Sequence, residues 1–205
     1  MSALADWPHL FRAGEPGSPV LLMLHGTGGD EHDISTLAGH LDPNAGVLAP
    51  RGRVTEQGAN RWFRRLAEGV FDLDDVEARA DELAGFVSAA IEELDLQGRP
   101  VIAVGFSNGA NIALATAMRH PEVLPRVIAF SGMYPWGDRE SSVRLDSSRV
   151  LLLNGEADPM APRASVERLA AALKDLGADV TRVERPGSHG IAQSDVDTAQ
   201  EWLTA

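Results

Sequence analysis

Residues 101–119 read VIAVGFSNGANIALATAMR. The apolar run VIAVG has the length of a strand buried on both faces, and ANIALATAMRH after it is helix-forming, so Ser107 falls at the turn between them. Around it, GFSNG fits Gly-x-Ser-x-Gly. In a sharp strand-to-helix turn the serine hydroxyl is lifted clear of the sheet, and Gly105 and Gly109 let the backbones approach. Ser107 is therefore a candidate nucleophile. The same letters also describe a plain glycine-rich turn, so the decision rests on the rest of the chain.

Working outward, apolar runs of strand length recur at VLLML (20–24), AGVLAP (45–50), RVIAF (126–130) and RVLLLN (149–154). DVTRVE (179–184) alternates, as an edge strand does. Between the runs lie helical patterns. The clearest is residues 72–94, where Val76, Ala80, Leu83, Val87, Ile91 and Leu94 keep helical spacing, Asp74 and Asp75 suit the start, and Gly98 with Pro100 the end. Further helices are expected from Ser107 to Arg119, from Arg163 to Leu176 and over DVDTAQEWL. This alternation predicts an α/β fold of βαβ units, with a mostly parallel sheet and helices on both faces. HLFRAG (9–14) is expected to add an antiparallel strand, paired with VLLML through the GEPGSP turn. Residues 51–73 lack periodicity, and their two adjacent aromatics and five arginines favour a packed functional loop over disorder.

The 205 residues suffice for one core, and the chain reads as a single domain over 1–205. No apolar stretch is long enough for a membrane span, and the N-terminus has no signal-peptide pattern, so the cytoplasm is the expected compartment. Zero cysteines exclude thiolate catalysis and cysteine metal sites. A net charge of −12 argues against nucleic acid and anionic membranes as partners and for a small-molecule substrate. Association into a homodimer stays open.

A serine hydroxyl needs a base. His9 lies in the N-terminal segment, His32 in an acidic turn, and His40 and His120 near helix ends. His189 stands in PGSHGI, between the last strand and the last helix, where α/β sheets gather their sites. Asp158 in NGEADPMAP follows RVLLLN and supplies the carboxylate that orients the base; Glu156 is its rival, less favoured because Pro159 fixes the turn after Asp158. The order Ser107, Asp158, His189 differs from the orders of the chymotrypsin and subtilisin triads. The oxyanion that forms on attack needs preset N–H donors, and the backbones of Thr27, in HGTGGD (25–30), and of Asn108 are the two expected. HGTGGD has neither a following Gly-Lys-Ser/Thr nor dinucleotide-type spacing, which disfavours nucleotide binding. Asp30, Glu31, His32 and Asp33 are adjacent and cannot converge on one ion; acidic residues opening a helix explain them, and no metal is expected.

LLMLHGTGGDEHD, APRGRV, NRWFRRLAEGVFDLDD, GFSNGA, NGEADPM and PGSHGI in this order resemble the phospholipase/carboxylesterase family of α/β hydrolases, in its branch of small hydrolases associated with aromatic-compound degradation. The resemblance covers nearly the whole chain. It implies the α/β-hydrolase fold without a large cap domain, ester hydrolysis without a cofactor, and an oxyanion donor at Thr27. It further implies that Trp62, Phe63, Met133 and Met160 line the substrate pocket, against the alternative that they pack in the core. Asn108 and Ala110 depart from the Gln and Gly usual in the family, and Ser188 precedes the histidine. The function expected is a serine carboxylesterase acting on small esters; a thioesterase or lysophospholipase is the second reading, and a non-catalytic binding module the third. The arginines at 51, 53, 61, 64 and 65 are expected to pair with Glu56, Glu68, Asp72 or Asp74, the alternative being a grip on an anionic substrate group.

Overall fold

The computed structural model describes residue 4, residues 6–67 and residues 69–205. Its centre is a seven-stranded sheet. In chain order the strands are β1 (His9–Arg12), β2 (Val20–Leu24), β3 (Gly46–Pro50), two small hairpins β4 (Val54–Glu56) with β5 (Ala59–Arg61) and β6 (Arg65–Ala67) with β7 (Val70–Phe71), then β8 (Val101–Phe106), β9 (Arg126–Phe130), β10 (Arg149–Gly155) and β11 (Asp179–Arg185). The helices are α1 (Glu31–Leu41), α2 (Leu73–Glu93), α3 (Asn108–Arg119), α4 (Arg163–Asp175) and α5 (Gln193–Thr204). The main sheet runs β1-β3-β2-β8-β9-β10-β11, parallel throughout except for β1.

All five residues of β2 are buried, and alternation sends them to two cores. Val20, Leu22 and Leu24 join the core under α2, α3 and α4, with Val76, Leu83, Ile112 and Leu169. Leu21 and Met23 join the opposite core under α1 and α5, with Ile34, Leu41, Val196 and Trp202. Solid apolar strands are thus the sequence signature of a sheet covered on both faces. β11 is the alternating edge strand the sequence predicts.

β1 departs from expectation: it pairs with β3, His9 opposite Pro50 and Arg12 opposite Val47, and not with β2. Both edges of β2 are taken by parallel neighbours, β3 and β8, so no edge is left for an antiparallel partner. The acidic run after β2 opens α1 as read: Asp30 caps it, accepting from the N–H groups of His32 and Asp33, and Asp33 reciprocates to the N–H of Asp30. At α2 the cap is Asp72, while buried Asp75 accepts the Arg64 N–H at 2.7 Å.

The described residues of 51–73 include the two hairpins, which lie over the carboxyl end of the sheet. Strands of two or three residues are too short to print a period on the sequence, and the reversal at Gln57–Gly58 is carried by positive φ angles of 52° and 82°.

The glycines flanking Ser107 are there because nothing larger fits. A Cβ on Gly109 would lie 1.9 Å from the Leu24 carbonyl oxygen, and one on Gly105 would lie 2.4 Å from that of Gly109. The obstacles are backbone, which cannot swing aside. Gly109→Ala is expected to destabilise the protein by about 3 kcal/mol, read as a lowered urea midpoint; an unchanged midpoint contradicts this packing.

Candidate active site

Four loops at the carboxyl ends of parallel strands carry the chemistry-bearing side chains: Thr27 after β2, Ser107 after β8, Asp158 after β10 and His189 after β11. Ser107 has φ 52° and ψ −113°, a strained conformation for a residue with a side chain, and its hydroxyl makes no helix-capping bond. Its backbone N–H donates to the Phe130 carbonyl, and its own carbonyl accepts from Asn111 as α3 begins. The strain is therefore held by the strand on one side and the helix on the other.

His189 Nδ1 lies 2.8 Å from Asp158 Oδ2. The Asp158 side chain is fully buried, and its Oδ1 accepts the N–H groups of Met160 and Ala161 at 2.8 and 3.1 Å. With Asp158 ionised, Nδ1 carries the proton and Nε2 keeps a lone pair. The imidazole packs on Phe106, next to Ser107, with ring centroids 5.1 Å apart. No hydrogen bond joins Ser107 to His189 among the described residues; contacts of this kind often close only around a substrate. Glu156 is exposed and stands outside this cluster.

The His189 loop is shaped by a group that belongs to no motif in the sequence. Arg185, at the end of β11, forms a buried ion pair with Asp195 at 2.6 Å, and its guanidinium donates to the carbonyls of Pro186, Ser188 and Gly190. Ser131, itself at φ 52° beyond β9, donates to Gly190 from its hydroxyl. The loop is thus wrapped around one cation and pinned from β9.

The turn after β2 is fixed by His25, also unweighed in the sequence. Its Nδ1 donates to the Gly26 carbonyl at 2.7 Å and its Nε2 accepts the Gly52 N–H at 2.9 Å, an arrangement only the neutral ring makes. Burial pushes its pKa below 6.5, against the Gly26 bond and the nearby acidic residues that favour the charged form.

The sequence-predicted residues divide. Thr27, Ser107, Asn108, Met133 and Met160 line one cavity of about 300 Å³. Asn108, at the first turn of α3, has a backbone N–H with no acceptor inside the helix, and its side-chain Oδ1 accepts the Trp62 N–H at 2.8 Å. Trp62 and Phe63 do not line that cavity, which corrects the expectation for them. They are 2% and 0% exposed within the core; Trp62 stacks against His25 and donates its indole N–H to the His25 carbonyl, and Phe63 packs edge-on against Phe71. What residues 61–71 bring to the cavity is instead Arg61, Arg65 and Phe71.

Most of the arginine cluster is paired. Arg51 grips Glu31 through two bonds at 2.6 and 2.7 Å, and Arg64 meets Asp72 at 3.0 Å. Arg61 and Arg65 share Glu56, at 3.3 and 2.8 Å, and Arg53 lies over the Trp7 ring. Asp74 pairs elsewhere, with Arg139, and Glu68 lies outside the described residues.

A parallel sheet of this strand order, with a serine on a positive-φ strand-to-helix turn and an Asp–His pair on later strand ends, defines an α/β hydrolase. The chain belongs to the phospholipase/carboxylesterase family, whose model matches residues 8–205. It is similar to the hydrolase MhqD of Bacillus subtilis (strain 168), 38% identical over 95% of this chain and 96% of that one. Among solved structures it resembles the Bacillus cereus carboxylesterase, with TM-score 0.93, 37% identity, and coverage of 98% of this chain and 94% of that one. It also resembles YahD in its structure with malic acid, with TM-score 0.90, 36% identity, and coverage of 97% and 98%. The chain is a hydrolase of the carboxylesterase class, and no helix among the described residues is long and apolar enough to cross a membrane.

Proposed function

We propose that this single-domain protein is a serine carboxylesterase that hydrolyses small carboxylic esters through an acyl-enzyme. The observation that carries the reading is the buried 2.8 Å contact between His189 Nδ1 and Asp158 Oδ2, on strand-end loops beside a serine held at φ 52°. In this mechanism Ser107 Oγ attacks the ester carbonyl and its proton passes to His189 Nε2. Asp158 holds the tautomer and stabilises the imidazolium, and the backbone N–H groups of Thr27 and Asn108 hold the oxyanion. The imidazolium protonates the departing alcohol. Water, deprotonated by the same histidine, then splits the acyl-enzyme and frees Ser107.

A cavity of about 300 Å³ over Ser107 supports a short acyl group, and YahD holds malic acid, a ligand of that size. A second cavity of about 760 Å³ meets the first at Gly69, Phe71 and Met133 and is lined in part by exposed Leu66 and Val70. That observation favours a second reading, in which a long acyl chain runs past Met133, as a thioesterase or lysophospholipase requires. A series of aryl esters from acetate to dodecanoate separates the two. The small-ester reading expects kcat/KM to be highest at acetate to butyrate and to fall by decanoate; a rise through decanoate supports the long-chain reading instead.

A further inference from the structure

Apart from the hydroxyls of Thr27 and Ser107, which both donate and accept, the polar side chains lining the cavity over Ser107 are amides and guanidinium groups. Asn108 and Asn111 both line it, and both have their carboxamide oxygens engaged, by the Trp62 N–H and the Met133 N–H at 2.8 Å each. This fixes the orientation of each amide and leaves its NH2, which in Asn108 is buried and without a partner among the described residues. Arg61 and Arg65 line the same cavity, and none of its described lining residues carries a carboxylate. In a chain of net charge −12 such a composition is not the average of the surface.

The charge is also unbalanced locally. Among the described residues the two guanidinium groups share one counter-ion, Glu56, two positive charges to one negative. Arg61 is only 4% exposed, and its Nη1 donates to Thr27 Oγ1 at 2.9 Å, which puts a cation one side chain away from the proposed oxyanion donor. Burial is the largest influence opposing its charged form, neighbouring Arg65 comes second, and Glu56 returns less than either. An anion entering the cavity would relieve both costs.

We propose that the substrate bears a second carboxylate close to the scissile ester, as in a half-ester of a short dicarboxylic acid, and that Arg61 and Arg65 recognise it while Ser107 attacks the ester. This rests on the esterase reading above. Charge-assisted, fork-shaped contacts suit a carboxylate, and the proximity of Arg61 to Thr27 limits the spacer between the two carbonyl carbons to a few bonds.

The test compares monoethyl succinate with ethyl 4-methylpentanoate, in which an isopropyl group replaces the carboxylate at equal shape, following acid release by titration at constant pH. The wild-type protein is expected to favour the charged ester in kcat/KM by on the order of 10-fold to 100-fold. Arg65→Met is expected to cut that ratio about tenfold, and Glu56→Gln, which removes the competing carboxylate, to raise it several-fold. Both side chains are partly exposed, so the test does not depend on the buried Arg61. A purely structural role for the cluster would change both esters together and leave the ratio alone. A wild-type ratio of one or less, unmoved by either substitution, overturns the anion proposal and leaves the esterase reading standing. No turnover of either ester, nor of a generic aryl ester, overturns the esterase reading and the proposal with it.

Discussion

Ser107→Ala lowers kcat on a short aryl ester by about 10⁴-fold or more, with KM little changed. The substitution is unusually clean. The Ser107 hydroxyl caps nothing in α3, and the positive φ is imposed by the strand and helix on either side, so alanine inherits the same backbone at about the same cost. Thermal stability is accordingly expected to stay within about 0.5 kcal/mol of the parent. The Thr27 and Asn108 N–H groups remain, and any residual rate above that in water measures what they and binding contribute without a nucleophile. A loss below tenfold in a folded variant contradicts the assignment.

Asp158→Asn is expected to cost nearly as much, about 10³-fold to 10⁴-fold in kcat, for a reason visible in the loop. The Met160 and Ala161 N–H groups both point at Oδ1, so the carboxamide must keep its oxygen there and turn its NH2 toward His189. Facing a donor, Nδ1 has to become the acceptor, and the imidazole proton moves to Nε2, the nitrogen that should take the proton of Ser107. The base is then present in the wrong tautomer. Steady-state kinetics on the same ester measures the effect, with Glu156→Gln, exposed and outside the cluster, expected to stay within about twofold. Equal effects at 156 and 158 contradict the role given to Asp158.

Much of this arrangement was legible before any coordinates, because it follows from strand ends. Solid apolar runs such as VLLML and RVIAF admit little but strands buried on both faces. Once these are parallel, their carboxyl ends lie along one edge, which brings together loops as distant in sequence as those of Thr27 and His189. The partner of β1 was not legible, because the short-turn expectation ignores that β3 and β8 already occupy both edges of β2. Trp62 and Phe63 were misplaced for a different reason: they stand in the bend between β5 and β6, where no strand or helix period says which way a side chain faces. Their bulk went inward beneath His25 and Phe71, and of the neighbouring arginines, for which surface pairing was expected ahead of a grip on an anionic group, Arg61 and Arg65 both pair with Glu56 and line the cavity. The roles of His25 and, apart from its pair with Asp195, of Arg185 were not legible because they are played on backbone groups, which leave no residue pattern in the sequence.

The most direct test of the central claim is covalent. The protein is incubated with a fluorophosphonate, its intact mass is recorded, and the adduct is mapped by digestion. One equivalent on Ser107, absent from Ser107→Ala, is the result predicted. Stoichiometric labelling that persists in Ser107→Ala, or an adduct on any other residue of the wild-type protein, contradicts it.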